Sequence, residues 1–237
     1  LVYLEADCDV VANYLRGGES SMLEDGKFRL WVGGCAHIAT DIRHGRKSLA
    51  DAITDSERGG DEGGPAFDWD IMLHLGDLKG AQDTPSDEDG EMYLDQIGAA
   101  EEHGREHFYN LLGNHDASGP DEPTQWWFRT WIDPTGENTQ VSGVNNASRP
   151  YPVTGTWDAY SFEVGNLLFL MMGDRNDGGP PAGRGDRGGY PAGRVTREQF
   201  DWDFLVRYTN APFLVVQTPG EPGDGMILRD ADGRPQA

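Results

Sequence analysis

The chain has 237 residues, 37% of them hydrophobic, with 41 acidic against 19 basic side chains and a formal net charge of −22 at pH 7. That length supports one domain with a substantial core, while so acidic a surface repels phosphate backbones and disfavours broad nucleic-acid binding. Two cysteines, Cys8 and Cys35, are too few for a disulfide framework, and no run of 18 or more apolar residues offers a membrane span.

Residues 1–27 read as an N-terminal extension, with Asp9 to Leu15 a short helix within it. The apolar run Phe28 to Val32 predicts a first strand, which stops at Gly33-Gly34-Cys35-Ala36-His37. Ser48 to Ser56 has helical spacing, with Leu49, Ala52 and Ile53 on one side, and a polar loop over 58–65 leads to a second strand over Asp70 to Leu75. Strand, helix, strand in this order predicts a parallel sheet. The second strand ends in Gly76-Asp77, residues 80–90 read as an acidic loop, and Met92 to Glu102 as a helix. A third buried strand, Phe108 to Leu112, ends in Gly113-Asn114-His115-Asp116.

His74 lies inside the second strand and reads as a core histidine. His103 and His107 have the i, i+4 spacing of a helical metal pair, but a solvated helix end fits them better. The aromatic cluster Trp126, Trp127, Phe128 and Trp131 reads as core in preference to a stacking platform. Tyr160 to Val164, then Gly165-Asn166, then Leu167 to Met172 is a hairpin signal that opens a second sheet. Its second strand ends in Gly173-Asp174-Arg175-Asn176-Asp177, followed by a Gly, Pro and Arg loop over 178–194, a helix over 195–207 and a last strand over 213–216.

Three predicted strands thus end in glycine followed by groups able to bind a cation or move a proton, at the sheet edge where open α/β sheets carry their chemistry. Gly76-Asp77, the block Gly113 to Asp116, and His37 in this order resemble the calcineurin-like metallophosphoesterases. The resemblance implies a four-layer α/β/β/α sandwich of two mixed sheets flanked by helices, over residues 28–237. It implies two divalent metal ions, zinc, iron or manganese, and a small phosphate mono- or diester as substrate. It places His37, with Cys35 at the first-aspartate position, on one metal, Asp77 between the two, Asn114 on the second, and His115 near the leaving group with Asp116 orienting it. Arg175 and Asn176, at the fourth strand end, are candidates for binding the phosphate ester.

Two departures qualify the match. A Cys35 thiolate suits zinc or iron better than magnesium or manganese. All six histidines lie at or before His115, so the family's two later histidine motifs have no counterpart here. The domain is therefore expected to be incomplete at its C-terminal end. Two rivals stand beside the enzyme: a non-catalytic structural or interaction protein on the same scaffold, and a carbohydrate- or nucleotide-binding module using the tryptophan cluster, which would need neither Asp77 nor His115.

Overall fold

Alternation along three short strands sets the architecture. In the computed structural model, which describes residues 3–7, 27–38, 48–60, 65–80, 84–116, 125–165, 167–173, 199 and 213–217, the apolar runs form β2 (Lys27–Gly33), β3 (Ile71–His74) and β4 (Phe108–Asn110), paired in parallel. Residues 3–7, within the segment read as an extension, form β1 (Tyr3–Asp7) and pair antiparallel with β2 at the sheet's edge. Successive side chains of a strand point to opposite faces. Leu30, Ile71, Leu73 and Tyr109 accordingly enter one core cluster, while Trp31, Met72 and Phe108 enter another.

The first cluster lies between two sheets. The predicted hairpin forms as β6 (Ala159–Val164) and β7 (Leu167–Met172), turning at Gly165 with φ 59°. Two-residue β5 (Thr154–Gly155) pairs antiparallel with β6, and β8 (Phe213–Gln217) runs parallel to β7. Tyr160, Phe162, Phe169 and Met171 meet Phe28, Leu30, Ile71 and Tyr109, and the Phe162 and Phe169 rings stack at 4.7 Å. Each such side chain removed from water contributes about 1.5–3 kcal/mol before the entropy of ordering is subtracted.

The second cluster seats the helices on the other face of the first sheet. In α1 (Leu49–Arg58), Leu49 and Ile53 face inward, and Ser48 closes a capping box with Asp51. The second helix departs from expectation: α2 (Asp87–Ile97) begins inside the segment read as an acidic loop and ends before Glu102. Ser86 and Asp89 cap each other reciprocally, and Asp87, Glu88 and Asp89 in the first turn complement the positive end of the helix. The acidic run is thus a helix start. Trp127 and Phe128 are fully buried in this layer, as expected of a core cluster.

The π-helical turn Phe128–Ile132 ends at Asp133, whose φ is 47°. Its carboxylate is buried and accepts hydrogen bonds from the Glu137 and Asn138 amides and the Ser142 hydroxyl, each at 2.8 Å. Ser142 closes the one-turn helix α3 (Thr139–Ser142). The protein is therefore a mixed α/β fold with two small four-stranded sheets packed face to face. A further helical layer on the second sheet would draw on residues 174–212, of which only Gln199 is described, so the predicted helix over 195–207 lies outside the described residues. No helix among the described residues is long and apolar enough to cross a membrane.

Candidate metal centre

The loops that leave β2, β3 and β4 continue to pair beyond the strands. Leu75 N donates to Gly33 O, Cys35 N to Gly76 O, His37 N to Asp77 O and Ile38 N to Leu78 O, at 2.8 to 3.1 Å. Two glycines allow this approach. Gly76 has φ 97°, and a Cβ there would lie 2.8 Å from the Gly113 backbone; a Cβ on Gly113 would lie 2.2 Å from the amide nitrogen of Asp77. Any side chain at either position would force the two strand ends apart.

This packing brings Cys35, His37 and Asp77 together, with one donor atom of each within 4.8 Å of the others. Cys35 is exposed, His37 and Asp77 are half-buried, and the Cys35 thiol points to Asp77 Oδ2 at 3.9 Å. All three residues are left-handed, with φ of 54°, 46° and 57°; among the described non-glycine residues only Gln125 and Asp133 share that conformation. Such backbone costs on the order of 1 kcal/mol per residue and persists where the surrounding structure imposes it. Strain at three neighbouring candidate ligands is a concentration that packing of the core does not require.

The β4 end supplies the support. Asn114, half-buried, opens a turn with His115. The His115 amide donates to Asp77 Oδ1 at 3.0 Å, and its ring meets that of His37 edge-on, centroids 4.8 Å apart. Asp116 is fully buried, and its carboxylate accepts from three backbone amides: Asp77 at 2.9 Å, Gly113 at 2.9 Å and Lys79 at 2.8 Å. The structure therefore places Asp116 as a clamp on the loop carrying Asp77, where the resemblance implies an orienter of the His115 ring. Burial first, then the Asp77 carboxylate, push the Asp116 carboxyl up to about 7, against the three amides that favour its charged form.

Lys79 has no counterpart in the sequence reading. Its side chain is 1% exposed and its ammonium lies 3.6 Å from Asp89 in the first turn of α2, tying that helix to the Asp77 loop. Lysine is so seldom buried that the residue type alone gives no such signal. His74 is buried as expected, with both ring nitrogens lacking a partner among the described residues. Burial, and secondarily the charge of His37, push it down to about 3, so it is neutral at pH 7. His103 is not a solvated helix end: it stacks on Trp69 at 3.4 Å and bonds Glu57 and the Trp69 carbonyl, which makes it part of the fold on the far side of α1. Arg175 and Asn176 lie outside the described residues.

The donor set fits a cation. A tetrahedral zinc with bonds of about 2.0–2.3 Å holds its donors roughly 3.3–3.8 Å apart, so small side-chain rotations would close the triad. Sulfur, imidazole and carboxylate together favour zinc or iron over magnesium. Asn114 and Asp77 could serve a second cation, but the described residues gather only the one three-donor cluster. No protein-family model matches the chain, and no curated protein matches it.

Proposed function

We propose that this chain is a metal-dependent hydrolase of phosphate mono- or diesters, built on the four-layer plan of the calcineurin-like metallophosphoesterases. One observation carries the proposal: Cys35, His37 and Asp77 converge, each in left-handed backbone, at the carboxyl edge of a parallel sheet, with His115 against them. Cys35, His37 and Asp77 would hold one cation; Asp77 and Asn114 would share in a second. Bound there, such cations act as Lewis acids toward a phosphoryl oxygen and make a nucleophile available near neutral pH.

The chain's own residues do the remaining work. Asp77 brings negative charge to the centre of the site, while Asn114 adds a neutral oxygen that leaves the second position more electrophilic. His115, whose amide is held on Asp77, would protonate the departing alkoxide. Asp116 and Lys79 keep the Asp77 loop in register through the backbone. Arg175 and Asn176 are proposed to bind the ester's remaining oxygens.

A second reading, a scaffold that binds one cation without turnover, draws on the absence of any histidine after His115. Hydrolysis of an aryl phosphate monoester and diester, with and without chelator, separates them. Chelator-sensitive turnover that falls at least about hundredfold in His115→Ala supports the enzyme; metal binding without turnover supports the second reading; neither removes both.

A further inference from the structure

Of the three clustered donors, only sulfur can change its oxidation state. Cys35 carries a thiol and is the one exposed member of the triad, so a small oxidant reaches it from solvent. Its left-handed backbone and the bond from its amide to Gly76 O, 3.0 Å, fix the direction in which the sulfur is presented. Asp77 Oδ2 lies 3.9 Å from that sulfur. Beneath them His74, 2% exposed and with both nitrogens unpartnered among the described residues, is close enough to feel the charge of His37. The carboxylate next to the triad, Asp116, is already taken by three backbone amides.

The geometry points to Cys35 as a reversible oxidation site that controls cation occupancy of the Cys35, His37 and Asp77 cluster. This rests on the metal-site reading above. The thiolate attacks a peroxide: a sulfur–oxygen bond forms, the oxygen–oxygen bond breaks, sulfur gives up two electrons, and hydroxide leaves. The product sulfenic acid is a poor ligand, and its new O–H lies within reach of Asp77 Oδ2 and would donate to the oxygen that the cation needs. One oxidation thus removes one ligand and occupies another. A dithiol reverses the change: its first sulfur displaces water from the sulfenic acid, and its second releases the Cys35 thiol as the dithiol becomes a disulfide.

The test uses the full chain with Cys8→Ser, which leaves Cys35 as the single thiol, loaded with zinc. Hydrogen peroxide is added while released zinc is followed with a chromophoric chelator and the sulfenic acid is trapped with a selective carbon nucleophile. The expected result is one zinc released per sulfenic acid formed, a zinc affinity lowered at least about tenfold, and recovery with a dithiol. A Cys35→Asp version of the same chain should bind zinc and keep it under peroxide. Zinc that binds and stays after Cys35 is oxidised, or is lost equally from the Cys35→Asp chain, overturns the switch and leaves the metal site standing. Zinc that never binds either chain overturns both.

Discussion

Among the five side-chain-bearing residues at which the described chain turns left-handed, Asp133 and the group Cys35, His37 and Asp77 sit in very different settings. At Asp133 the strain is local and answered on the spot: the same residue's buried carboxylate caps the following turn through three donors. At Cys35, His37 and Asp77 the strained residues gather a thiol, an imidazole and a carboxylate within 4.8 Å of one another at a partly exposed position. The first arrangement is complete as it stands. The second gains stability only when something positive enters it, which is the difference between strain that serves the fold and strain that serves a ligand.

Substitutions can break that contrast. The largest effect is expected from Asp77→Asn, which keeps an oxygen for the His115 amide but removes the charge: cation affinity and turnover should each fall at least about hundredfold, with the circular dichroism spectrum unchanged. Asp133→Ala should do the opposite, leaving cation binding intact while removing the acceptor of three hydrogen bonds, that of the buried Ser142 hydroxyl among them, at a cost of about 2 kcal/mol, read from urea unfolding.

Asp116 sharpens the contrast through pH. Its folded-state value of about 7 lies above the roughly 3.9 of an unfolded aspartate. Between those values the native state keeps a proton that the unfolded state has released. Asp116's own contribution to the stability of the cation-free protein should therefore be fullest below about pH 4 and fall as pH rises toward 7, by a few kcal/mol in order of magnitude, while buried neutral His74 contributes the opposite slope as its unfolded-state proton is lost. The difference between the unfolding free energies of the parent and Asp116→Asn across that range should show the slope, since His74 is common to both chains, and saturating zinc, which offsets the Asp77 charge, should reduce it. The smallest effect is Cys35→Gly, which relieves a left-handed φ at an exposed position: stability should stay within about 1 kcal/mol of the parent, on the favourable side, while zinc affinity drops.

Much of this was legible in the residues, and what was not has identifiable causes. Parallel β2, β3 and β4, the β6–β7 hairpin and β8 follow from apolar runs punctuated by glycine. The same punctuation marked Cys35, His37, Asp77 and His115. Several features had no sequence signal of their own. The start of α2 looked like a loop because its acidic residues serve as caps, and capping depends on where the chain turns. The Asp116 clamp and buried Lys79 depend on two loops meeting across the sheet edge, and neither spacing nor residue type encodes a contact between positions nearly forty residues apart. Left-handed backbone at Cys35 was equally hidden, since the residue type does not favour it; histidine is enriched in that region, but too weakly to mark His37 alone.

The most direct measurement is a cobalt titration of the purified chain followed by absorption. One equivalent per chain, with a thiolate-to-metal charge-transfer band that disappears in Cys35→Ser and a binding isotherm that weakens in Asp77→Asn, is the result expected if the strained triad is a cation site. No saturable binding, or binding that neither substitution changes, would contradict it.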